Sequence, residues 1–125
     1  MTREEEQYHI TSIINEINEV QAYTTTMDQQ EFEREEETQS IVARSLRNIG
    51  EAAVLLSTDD DWQDKYEDVD LNVLQRLQDS MYNNEMEFAP GVIWSIIKQD
   101  LPEIKRELFE ISENLDEEED IKGIL

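Results

Sequence analysis

Cysteine is absent from the 125 residues. That excludes a disulfide framework, a thiol nucleophile and thiolate metal ligands, and it suits a reducing cytoplasm, the expected location. Histidine occurs once, as His9, so no Ser-His-Asp set can be assembled. Glycine (Gly 3) and proline (Pro 2) are scarce. No phosphate-cradling glycine loop exists, and so few breakers among many Glu, Gln, Leu and Ile residues favour helix over sheet. No apolar run approaches the roughly 18–20 residues of a membrane span. The opening MTREEEQYHI is acidic and lacks the apolar stretch of a signal peptide.

Positive charge is also scarce. Asp+Glu number 32 against Lys+Arg 10, a formal net charge of −22. Such a field repels nucleic acid and anionic membrane at ordinary ionic strength, and it repels itself. RNA binding is therefore disfavoured at low salt. One reading is a soluble acidic domain with solvated carboxylate faces. A second is a halophilic protein, because at molar salt the Debye length falls to about 3 Å and the repulsion largely vanishes. A third is an acidic decoy of nucleic acid. The carboxylates are spread along the whole chain, which favours the first two over the third.

The length suits one domain with a single modest core. Ile10, Ile13, Ile14, Ile17 and Val20 recur at helical spacing and predict a first helix from Thr2 to about Thr24. The run Thr24-Thr25-Thr26 breaks it. Asp28 caps a short new helix, with Glu31 in the capping-box position and Phe32 as its apolar anchor. A second long helix runs from about Glu37 to Leu56 on an inner face that includes Ile41, Val42, Leu46, Ile49 and Ala53. Gly50 within it suggests close helix approach. The turn Ser57–Asp61 ends the helix, and Trp62 and Tyr66 read as apolar lids over a bundle end. Asp70 caps a third long helix, Leu71 to about Asn83. Pro90 opens a fourth, which Pro102 kinks or restarts at Asp100. The expected fold is all-α: an antiparallel four-helix bundle with one or two short extra helices. The domain spans 1–118, and 119–125 form a frayed tail.

Three blocks carry a family resemblance. They are YHITSIINEINEVQAYT; then Phe32, Thr38-Gln39 and Asn48-Ile49-Gly50-Glu51-Ala52; then VIWSIIKQDLPEIK, with Trp94 and Asp100-Leu101-Pro102. Their order resembles the HEPN superfamily, in its HepT-like branch of minimal toxins, over roughly residues 7 to 115. The resemblance implies a compact all-α homodimer, encoded beside a minimal nucleotidyltransferase that serves as antitoxin. It also implies a metal-independent RNase with no cofactor. The family signature is Arg, four residues, His, one residue, Tyr, at the end of the third long helix. There the imidazole can trade a proton with the ribose 2′-OH, and the guanidinium can hold the phosphate. In some members the Tyr receives AMP from the partner.

This chain departs from the signature at each position. Counting back from Trp94 without a gap, Gln78 stands for the Arg, Asn83 for the His and Glu85 for the Tyr, while Asp79 matches an Arg-Asp pair. The nearest cation, Arg76, is about 200° away around a helix. Neutral amides bind RNA by hydrogen bonds but supply neither a general base nor a cation, and Glu85 has no hydroxyl for AMP. The expected function is thus a catalytically silent HepT-like partner that binds protein or nucleotide. The alternatives are a divergent RNase working through Asp79, Asn83 and Arg76, and the acidic decoy. Gln78, Asp79, Asn83 and Glu85 are either a polar binding cleft or a solvated helix end. Asn48 and Glu51 lie off the apolar stripe. The resemblance implies a buried polar contact for them, and the residues alone equally allow a surface pair. Trp62 and Trp94 read as packing residues, since basic neighbours for a base-stacking platform are not evident. His9 reads as a surface or boundary residue. Asp59-Asp60-Asp61 lacks the spacing of a calcium loop, so no metal site is expected.

Overall fold

A computed structural model of the chain describes residues 1–58, 62–66, 69 and 90–124. The expected third long helix, Leu71 to about Asn83, lies outside them, as do Asp59–Asp61 and the ring of Trp62. The fold is an all-α bundle, with no strand among the described residues.

Helix α1 is Arg3–Thr24. Its Thr2 hydroxyl accepts from the Glu5 N–H, satisfying one orphan amide of the first turn. Glu6, Ile10, Ile13, Ile17, Val20 and Thr24 are buried along it at alternating spacings of four and three. That is the stripe of a helix facing one core. At its end the Thr24 hydroxyl donates to the Val20 carbonyl, competing with the backbone where the helix stops.

Helix α2, Gln29–Arg34, carries the expected capping box in full. Asp28 accepts from the Glu31 N–H at 2.8 Å, and the Glu31 carboxylate accepts from the Asp28 N–H. Helix α3, Glu36–Leu56, buries Val42, Leu46, Ile49, Ala53 and Leu56. The small residues Ser45, Gly50, Ala52 and Ala53 are buried on it as well, and α1 packs against α3. A short helix, α4, covers Trp62–Lys65.

Helix α5 (Pro90–Ser95), a π-helical turn (Ile96–Asp100) and α6 (Leu101–Ile124) form one continuous rod. The expected restart at Asp100 does not occur. Pro102 has no N–H and its ring would collide with the carbonyl four residues back in a regular helix. The chain instead widens by one residue, and the Leu101 N–H reaches the Ile96 carbonyl. The rod packs on α1 through α6, and α5 packs on α2. There Gly91 keeps the contact close: a Cβ at that position would lie 3.3 Å from Gln29 Nε2. Ile93, Ile96, Ile97, Leu101, Ile104, Leu108 and Leu115 complete the core with the stripes of α1 and α3.

Candidate functional site

The four positions aligned to the family signature, Gln78, Asp79, Asn83 and Glu85, lie outside the described residues. The chain enters the 70–89 stretch past Lys65, Tyr66 and Val69, and these three residues are anchored.

The anchor is Glu6, 3% exposed in the first turn of α1. Tyr66, 2% exposed, donates its hydroxyl to Glu6 Oε1 at 2.6 Å. Lys65 Nζ lies 3.2 Å from Glu6 Oε2. A buried carboxylate is costly unless both oxygens are satisfied, and here one oxygen takes a phenol and the other an ammonium. Tyr66 is thus more than an apolar lid: its ring is buried and its hydroxyl serves the carboxylate. Glu6 was legible only in register, four residues before Ile10 on the stripe. Its partners lie 59 and 60 residues away, beyond any local pattern.

Beside this anchor a polar groove of about 620 Å³ runs between Lys65 and Val69 on one side and α6 on the other. Arg106 and Lys65 bring two cations to it, and Glu103, Glu107 and Glu110 bring three carboxylates. Carboxylates outnumber cations, so the groove as a whole does not attract a polyanion.

The remaining expected residues separate. Asn48 is exposed, and its amide donates to Glu16 Oε1 on α1 at 3.2 Å. It is a surface pair between α3 and α1. Glu51 is half-buried on α3. Half-buried His9 meets Tyr8 edge-on, with ring centroids 5.5 Å apart. Trp94 is a packing residue with a basic neighbour that the sequence reading missed. One contact is Phe32, at 5.5 Å between centroids, and Lys98 Nζ sits 4.7 Å over the ring. Lys98 also reaches the Thr24 carbonyl at 3.4 Å. The i, i+4 spacing of Trp94 and Lys98 carried that signal. With Phe32 and Lys98 against it, the ring is not an open stacking platform.

The described residues form an all-α bundle with a buried carboxylate anchor at Glu6. The family is shown by comparison: the model for HepT-like proteins, described as "Ribonuclease HepT-like", matches residues 13–111, and the chain belongs to that family. Its relatives include three proteins of Methanocaldococcus jannaschii. "Gamma-glutamylcyclotransferase and putative RNase MJ0434" is 24% identical over 120 residues, 96% of this chain; the chain spans about half of that relative, 53%. "Putative RNase MJ0127" is 27% identical over 120 residues, covering 96% of this chain and 98% of the relative. "Putative RNase MJ1380" is 25% identical over 108 residues, 86% of this chain and 97% of the relative. No solved structure matches the chain. No helix among the described residues is long and apolar enough to cross a membrane.

Proposed function

We propose that this chain is the HepT-like member of a toxin–antitoxin type pair with a minimal nucleotidyltransferase. In this reading it is a cytoplasmic homodimer that acts by binding protein or nucleotide and does not cut RNA. One observation carries the reading: a family match over residues 13–111 coincides with Gln78, Asn83 and Glu85 where the family has its cation, base and modifiable hydroxyl. The amides retain hydrogen bonding but cannot exchange a proton near neutral pH or neutralise a phosphate. The net charge of −22 further disfavours RNA at low salt.

The relatives' names favour a second reading, an active RNase that uses Asp79, Asn83 and Arg76. Cleavage of a mixed RNA substrate by the purified protein, from dilute buffer to molar KCl, separates the two. The first reading expects no cleavage above background at any salt, and stable association with the neighbouring nucleotidyltransferase on co-expression. Cleavage abolished by Asn83→Ala would overturn it in favour of the second.

A further inference from the structure

We propose that the outward face of α1 is a docking seam for a helix of a second protein, one with an uncharged middle line and Lys or Arg along one flank. The inference rests on the partner-binding reading above and names the surface and the partner's chemistry.

Helix α1 carries two stripes. One is the buried line of Glu6, Ile10, Ile13, Ile17 and Val20. The other lies on the solvent side: Tyr8, Thr11, Asn15, Asn18 and Ala22, at spacings of three, four, three and four. All five are exposed and none is charged. The chain as a whole is 34% charged, and the outward faces of α3 and α6 follow suit with Arg44 and Arg47 on one and Glu103, Arg106, Glu110 and Glu113 on the other. Helix propensity at exposed positions also favours Glu, Lys or Arg over Thr and Asn. The uncharged line is therefore a departure that folding does not require. Depletion of charge together with exposed aromatic rings marks the centre of a protein interface. Tyr8 is 69% exposed and meets His9 edge-on at 5.5 Å between centroids. Tyr23, 46% exposed, stands about 22 Å further along the helix axis. Two tyrosines at the ends of one face are suited to anchor a helix laid along it.

The border of the line selects the occupant. Glu5, Glu16 and Glu19 run along one side of it, and Glu4 stands at its head. Glu16 accepts from the neutral amide of Asn48, which leaves its charge in place. From Glu4 to Thr24 the helix has no Lys or Arg. A cationic flank on an incoming helix meets these carboxylates and is steered by them. A second copy laid α1 on α1 would set carboxylates against carboxylates, with no cation on either helix over that span to offset them. The same carboxylates disfavour nucleic acid.

The test uses the full chain and the neighbouring nucleotidyltransferase as the probe. Affinity is measured by calorimetry in 0.15 M and about 1 M KCl, with melting curves to confirm folding. Both tyrosines are exposed, so Tyr8→Ala/Tyr23→Ala leaves the core intact. It is expected to weaken binding about tenfold or more, on the scale of interface anchors. Glu5→Lys/Glu19→Lys should weaken binding at the lower salt and less at the higher, where the lost attraction is already screened. Phe109→Ala, on the exposed side of α6, should leave it unchanged. Binding unmoved by the tyrosine pair would overturn the seam while leaving the partner reading standing. No binding of the nucleotidyltransferase at either salt would overturn both. If the tyrosine pair instead splits a homo-oligomer or releases RNA while nucleotidyltransferase affinity holds, the face belongs to that occupant and the proposal is overturned.

Discussion

At the scale of single residues, the decisive one is Glu6. A carboxylate at a core position is destabilising unless its oxygens are satisfied, so its worth depends on Tyr66 and Lys65 together. Tyr66→Phe removes the 2.6 Å donor and leaves a buried oxygen short of a partner. The expected loss is about 1–3 kcal/mol of unfolding free energy, read from urea denaturation. Combining it with Glu6→Met, which removes the charge as well, should recover part of that loss. A double-mutant cycle showing strict additivity would mean that the two side chains do not act as a unit. Asn48 is the contrast: its bond to Glu16 is exposed, and Asn48→Ala should change stability by no more than about 0.5 kcal/mol.

At the scale of elements, α1 and α2 show two separate sources of helical stability. Helix α2 has only 6 residues, too few to hold itself by propensity, and its start is set by the reciprocal bonds of Asp28 and Glu31. Asp28→Ala should cost about 0.5–2 kcal/mol, seen as a lower urea midpoint with unchanged slope. Helix α1 instead depends on its stripe. Ile17 is fully buried in the core cluster, and Ile17→Ala should cost about 2–5 kcal/mol in the same assay, well above the cap. The rod from Pro90 to Ile124 adds a third device. Pro102 is accommodated by a π-helical turn rather than a break, which keeps Ile97, Leu101 and Ile104 on the core side.

At the scale of the molecule, charge sets the conditions under which the fold persists. With a net charge of −22 on a compact bundle, self-repulsion opposes folding in dilute buffer. Raising KCl shortens the Debye length from about 10 Å at 0.1 M to about 3 Å at 1 M. The melting temperature should therefore rise across that range by several degrees, since about 1 kcal/mol corresponds to roughly 4 °C or more in a domain of this size. A flat melting temperature across the KCl series would show that the carboxylates are spaced widely enough for water alone to screen them. KCl is the salt of choice because sulfate also strengthens apolar burial.

Much of this was open to reading from residue order. Helical spacing placed α1 and α3 to within a residue or two, because one buried stripe per helix leaves a local periodic trace. The Asp28–Glu31 box was equally visible, since both partners lie within one turn. Family membership followed from three ordered blocks. The partners of Glu6, the Asn48–Glu16 pair and the Lys98–Thr24 contact were not visible, because each joins residues 32 to 74 positions apart through packing that no local pattern encodes. The π-helical turn escaped for a related reason. Pro102 announces only that a regular helix is impossible. Whether the rod breaks or widens depends on whether Ile97 and Leu101 can both stay in the core, and that is settled by the helices packed against them.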